Sequence, residues 1–360
     1  MTNVRTALHC PACEGLLWIE SLECPWCGQA VMLDLASDRA HRLDVSPLTP
    51  CSNRAWDCNW TASEGAPGGE CYFCRMTRRR PDADDTAAMR ELAVTEVSKR
   101  RLLIGLADLG LPVTPYWHAD GGLAFDLLSS SEGSPVVIGH ANGVITIDLA
   151  ESLAVYRERL KIELGESYRT MLGHFRHEVG HYYQARLLER PGGPMLDECR
   201  ALFGDERASY SDAIERHYRD GAPTDWHDGF ISSYATMHPW EDFAETFAHY
   251  QHILLTLNMT ANGGLQMLRE AQPALPTDVK PRTDYSRADM SEALGDWRWV
   301  SHLLNRASHA MGKGDLYPFH IPAPVVDKLD FVHRVVVAAR VEEPFLGLAP
   351  RPTAPSASFS

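Results

Sequence analysis

Apolar residues along the chain recur with two periods, and the change of period divides its middle. From Thr86 to Leu109 the positions Met89, Leu92, Val97, Leu102, Leu103 and Leu106 fit one face of a helix, which Gly110 and Pro112 end. Short runs of strand character follow at 122–128, 135–138 and 144–149, with Asn142-Gly143 where a tight hairpin turn wants it, so a hairpin with an edge strand is expected. Helical spacing returns at 153–164 and 168–188, the second stopping at Pro191-Gly192-Gly193-Pro194, and again through 209–218, 239–257, 290–311 and 325–341. No segment repeats at a fixed period. The pattern predicts an α+β domain over residues 81–345, mostly helical with a small sheet.

Residues 1–80 break this pattern. They are poor in large aliphatic side chains and hold eight of the nine cysteines. Too little apolar surface is present to stabilise such a module by burial alone, so structural metal is expected. Cys10-Pro11-Ala12-Cys13 and Cys24-Pro25-Trp26-Cys27 form two C-x2-C knuckles ten residues apart, a spacing that brings four thiolates round one tetrahedral ion. Gly15 and Gly28 suit the tight turns that knuckles need. Cys51, Cys58, Cys71 and Cys74 make a looser second set, six residues separating its first pair. Zinc is the expected metal, as one or two structural ions. Iron is the alternative metal, a redox dithiol is the alternative for Cys24 and Cys27, and the sequence leaves open which cysteines pair across the two sets. Cys199 reads as an inert thiol. The last residues, 346–360, are rich in Pro, Ser and Ala and are expected to be disordered.

Charge narrows the partners. Lys and Arg number 34 against 48 Asp and Glu, a formal charge of -14, which disfavours nucleic acid and anionic lipid over most of the surface. The basic run at Arg75 and 78–80 is followed at once by Asp82, Asp84 and Asp85 and reads as a solvated linker. The start has no apolar leader and no stretch is long enough for a membrane span, so a cytoplasmic protein without membrane contact is expected.

The chemistry concentrates on His177-Glu178-Val179-Gly180-His181. Two histidines four apart on a helix project from one face and can share a zinc ion, and the intervening glutamate is offset so that it reaches metal-bound water without ligating. Leu172, Phe175, Val179 and Tyr182 supply the buried flank, and Gly180 is read as keeping the metal side uncrowded. His174 lies on nearly the same face and reads as a polar neighbour. A third ligand must come from elsewhere. The best candidate segment is 234–245, in which Pro239 suits a first helical turn and places Glu241 and Glu245 one turn apart on one face. One carboxylate could ligate while the other holds a histidine from behind. His249 and His252 read as surface or core residues.

At this point the residues resemble the gluzincin peptidases, and Glu241-Asp242-Phe243-Ala244-Glu245 resembles the E-x-F-A-E element of the lethal-factor branch. The resemblance implies Glu241 as third ligand, Glu245 as the partner behind a histidine, and Tyr234 as hydrogen-bond donor to the developing oxyanion or leaving group. The order of zinc-ribbon front, His-Glu-x-Gly-His helix and Pro-Trp-Glu-Asp-Phe-Ala-Glu helix is similar to a bacterial family of zinc-binding metallopeptidases known by predicted activity, and the likeness covers the chain up to about residue 345. One departure is that Glu241 lies 60 positions after His181. An inserted helical segment at 197–228 is expected to fold away, and Asp205, His217 and His227 compete as ligands.

The expectation is therefore a zincin-like zinc metallopeptidase with one catalytic ion. Glu178 serves as general base, the substrate is a peptide or protein, and the ribbons are available for a protein partner. The strand at 144–149 is expected to pair with extended substrate. The alternatives are a non-catalytic interaction protein and a zinc amidohydrolase acting on a non-peptide amide.

Overall fold

The computed structural model describes residues 8–130, 136–152 and 170–345. The cysteine-rich segment contains a two-stranded antiparallel ribbon, β1 (Val31–Asp34) and β2 (Arg39–Arg42), a single helical turn α1 (Tyr72–Arg75) and a short strand β3 (Thr77–Arg79). Each of the first two knuckles turns back through one left-handed residue, Glu14 at φ 60° and Gly28 at φ 71°, whose amides donate to the carbonyls of Cys10 and Cys24 at 2.9 Å. Gly15 is therefore not the turn residue. A Cβ there would lie 2.4 Å from the Trp26 ring, so its lack of a side chain makes room for the indole.

β3 does not end in a linker. It pairs in parallel with β4 (Ala124–Leu128), which pairs in parallel with β6 (Val144–Asp148), and β5 (Gly139–Ala141) closes the sheet antiparallel to β6 in the order β3-β4-β6-β5. The basic run expected to be a solvated linker is thus a sheet edge. Arg78 donates twice to the buried carboxylate of Asp126 on β4, at 3.0 and 2.7 Å, and Arg80 reaches Glu70 at 3.4 Å. Opposite charge held across neighbouring strands overrode the solvation preference of the run. The hairpin turns at Asn142-Gly143 as expected, but its first strand is Gly139–Ala141, and 136–138 are irregular. β6 has a neighbour on both sides, so its backbone is already paired and it cannot take the substrate strand expected for it; the edges of this sheet among the described residues are β3 and β5.

The helices are α2 (Thr86–Asp108), α3 (Met171–Gln184), α4 (Pro194–Phe203), α5 (Tyr210–Asp220), α6 (Pro239–Asn262), α7 (Met290–Ala310) and α8 (Ala323–Ala338). α3 continues into a π-type turn, Ala185–Glu189, before the predicted Pro-Gly stop. α2, α3, α6 and α8 carry the core, with Leu102, Leu103, Phe175, Val179, Phe243, Phe247, Leu329 and Phe331 buried. The same apolar cluster runs into the cysteine-rich segment, where Tyr72 and Phe73 pack edge-on to Phe345 at 5.3 and 5.7 Å. Each such aromatic contributes about 1.5–3 kcal/mol through burial, so the front segment is welded to the helical part and not tethered to it. The helix expected at 153–164 and the tail 346–360 lie outside the described residues. No described helix is long and apolar enough to cross a membrane.

Candidate metal centre

Helix α3 begins at a Thr170 cap, whose hydroxyl accepts from the Gly173 amide at 2.9 Å. Phe175, Val179, Tyr182 and Tyr183 face the core, and this fixes the opposite rotation of His177 and His181 toward α6. The approach of the two helices depends on Gly180. A Cβ there would stand 2.9 Å from Ala244 Cα and 3.2 Å from its carbonyl oxygen, both backbone atoms that cannot yield. The role read for Gly180 from sequence is thereby corrected: it faces α6, and it lets that helix close on the histidines.

α6 is started by Pro239 and by His238, whose Nδ1 accepts from the Trp240 amide at 3.1 Å. Glu241 and Glu245 then face α3 one turn apart. Glu241 Oε2 lies 2.9 Å from His177 Nε2 and 3.5 Å from His181 Nε2. Behind His177, its Nδ1 donates to Glu245 Oε1 at 2.7 Å, and Ser232 Oγ donates to the other Glu245 oxygen at 2.7 Å. The Nδ1 proton fixed on Glu245 leaves His177 Nε2 free to act as a donor atom for a cation.

Glu178 lies beside this group. Its Oε1 is 3.3 Å from His174 Nε2, and His174 Nδ1 is held by Glu151 at 2.9 Å. Its other oxygen is buried without a hydrogen-bond partner. Burial alone would raise the Glu178 pKa, but the His174, His177 and His181 imidazoles bring it down to about 2. Burial likewise works against ionised Glu245, yet the hydrogen bond from His177 holds it at about 2; Glu241 sits well below the carboxylate range, and His177 well above its usual value, for the same mutual reason. Four carboxylates, three of them buried, around three imidazoles thus demand positive charge.

A divalent cation meets that demand, and the spacing fits one. The donor atoms of His177, His181 and Glu241 all lie within 4.8 Å of one another. Nitrogen and oxygen ligands about 2.0–2.1 Å from a tetrahedral ion sit roughly 3.3 Å apart, which the 2.9 and 3.5 Å separations bracket. The cysteines pass the same test. They gather as Cys10, Cys13, Cys24, Cys27 and as Cys51, Cys58, Cys71, Cys74, without exchange between the sets. Their closest Sγ separations are 3.7 Å in the first group and 3.6 Å in the second, against roughly 3.8 Å for thiolates 2.3 Å from a tetrahedral zinc ion. Disulfides would need about 2.05 Å. Amides of Cys71 and Cys74 donate to Cys51 and Cys71 sulfurs, as stabilised thiolates require. Cys199 is buried far from both groups, and burial lifts its thiol to about 12.

A cavity of about 370 Å³ reaches the donor group from the His177 side, lined by His177, Glu178, Trp226, Phe230, Tyr234 and Phe319 among others. The Tyr234 ring is 5.8 Å from that of His177, and burial, Glu241 and Tyr210 keep its hydroxyl protonated far above the usual phenol range. His249 and His252 are core residues on the cavity wall, bonded to the Tyr317 hydroxyl at 2.8 Å and to Arg176 at 2.5 Å. Of the competing ligands, Asp205 is taken by Arg207, His227 stacks on Trp226, and His217 lies edge-on to Tyr234; none joins the donor group. The inserted segment does not fold away. Tyr210, the first residue of α5, donates its hydroxyl to Glu241 Oε1 at 3.0 Å. Nothing in its sequence neighbourhood marked it, since Ser209-Tyr210-Ser211 reads only as a helix start.

Residues 88–335 match the model of a family described as "putative zinc-binding metallo-peptidase". The chain belongs to this family. The matched span contains His177, Glu178, His181, Tyr210, Tyr234 and Glu241, and the cysteine groups precede it as zinc-ribbon modules do. Family members from Mycobacterium bovis and from two strains of Mycobacterium tuberculosis, all uncharacterized proteins, are 44% identical over 331 residues, covering 91% of this chain and 94% of theirs. No solved structure matches the chain.

Proposed function

We propose that the protein is a zinc-dependent peptidase of zincin-like architecture in which His177, His181 and Glu241 hold the metal. Zinc in that position would supply Lewis-acid polarisation of the scissile carbonyl and activate water at neutral pH. The observation that carries the reading is Glu178: a buried, ionised carboxylate on the cavity wall, one oxygen anchored by His174 and the other without a partner, next to three converging donor atoms. Such a group accepts the proton of the attacking water and passes it to the leaving amine. Tyr234, protonated and facing the same cavity, donates to the oxygen on which negative charge develops. Glu245 and Ser232 keep His177 in the tautomer that ligation needs. An extended peptide would pair with β5, the edge strand whose His140 ring lies 6.0 Å from the Tyr182 ring on α3.

Metal content and peptide-library cleavage test this on three proteins. Wild type and Glu178→Gln should each hold about three zinc ions, and Glu241→Ala about one fewer. Glu178→Gln should cut the cleavage rate by about 10²–10⁴-fold with zinc retained. Cleavage undiminished in Glu178→Gln would overturn the mechanism.

A further inference from the structure

The two oxygens of Glu241 are treated differently. Oε2 faces both imidazole Nε2 atoms, at 2.9 and 3.5 Å, whereas Oε1 accepts the Tyr210 hydroxyl at 3.0 Å. Tyr210 comes from the segment between the two ligand helices, and that segment is tied to the start of α6 at three further points. His238 caps α6 through Nδ1, so its Nε2 carries the proton and donates to the Ala208 carbonyl at 3.1 Å. Arg216 donates to the Met237 carbonyl at 3.3 Å. The Tyr210 ring rests against His238 and Trp240, with centroids at 5.3 and 6.0 Å. The half-buried phenol so braced donates its hydroxyl to the carboxylate oxygen that does not face the histidines, with the Tyr234 hydroxyl as its neighbour.

We infer that Tyr210 is a positioning residue that holds Glu241 as a one-oxygen ligand, making the inserted α5 segment a working part of the metal centre. The inference rests on the reading of Glu241 as a zinc ligand. A carboxylate free to turn can offer both oxygens to a cation and fill the position that substrate and water need; a donor committed to Oε1 prevents this. The hydroxyl also fixes the carboxylate plane, as hydrogen-bonded partners of metal ligands do.

Tyr210→Phe removes the hydroxyl and keeps the ring against His238 and Trp240. The zinc-loaded protein is titrated with a chromophoric chelator to obtain the affinity of its most weakly held ion. That ion is then exchanged for Co²⁺, and the d–d absorption is read as a difference against Glu241→Ala. Arg216→Ala serves as the comparison, since it loosens the segment without touching Glu241. Tyr210→Phe is expected to weaken zinc by about 10–100-fold and to change the cobalt band intensity through a change in coordination number, while Arg216→Ala stays within about twofold and keeps the wild-type band. Wild-type affinity and spectrum in Tyr210→Phe would overturn the inference. So would equal losses in both variants, which would assign the effect to docking of the segment. If Glu241→Ala keeps all its zinc, the ligand reading falls and this inference with it; if Glu241→Ala loses one ion and Tyr210→Phe matches wild type, only the role of Tyr210 falls.

Discussion

The second cysteine group and the α3–α6 centre are both buried sets of metal donors, yet they hold together for different reasons. Around Cys51, Cys58, Cys71 and Cys74, four sulfurs crowd at about tetrahedral spacing with amide donors as their main polar partners. Around His177, His181 and Glu241 two of the three donors have a protein partner behind them: Glu245 and Ser232 behind His177, Tyr210 behind Glu241. The first arrangement is chain gathered round four sulfurs, and its stability would come largely from the binding energy of a cation held there. The second is built by helix packing and keeps its geometry through carboxylate–imidazole pairs.

The largest expected effect that sharpens this contrast is Cys71→Ser. It should cost one zinc ion and several kcal/mol, lowering Tm by on the order of 10 °C in calorimetry, because the buried sulfurs lose the charge that balances them. Glu241→Ala should cost one ion with a much smaller fall. Equal falls would erase the distinction. Gly180→Ala comes next. The added Cβ meets Ala244 backbone at 2.9 Å, so α6 must shift, at about 1–3 kcal/mol, and the zinc affinity of the helical site should drop with the cysteine sites untouched. A variant as stable as wild type, with normal affinity, would show that the close approach does not set the centre. The smallest is Ser232→Ala. It takes one donor from Glu245 and should cost about 1 kcal/mol, read as a small fall in Tm and a few-fold rise in the zinc dissociation constant.

Legibility followed the range over which each signal acts. The cysteine knuckles, the histidine pair and the Pro239 helix start are set by spacings of a few residues, and all appeared where the pattern put them. The basic run was misread because the carboxylate that claims Arg78 is Asp126, on a strand far along the chain. The substrate strand was misplaced because hairpin chemistry fixes the turn at Asn142-Gly143 but not which strand finds a second neighbour. Gly180 showed the absence of a side chain without showing what would have struck it. Tyr210 was invisible, since a tyrosine after a serine cap has no local pattern that reports a carboxylate on another helix.

By itself the sequence determined the donor types, their pairing within each knuckle or helix turn, and the helices that carry them, because knuckle turns and the 3.6-residue repeat are local geometry. Only the tertiary structure decided which oxygen of Glu241 faces the histidines, that the 197–228 segment closes on the site, and which strands form the sheet edges. These depend on the approach of backbones distant in sequence, at Gly180 and Ala244 above all, and on buried charge that must find its partner wherever the fold brings one.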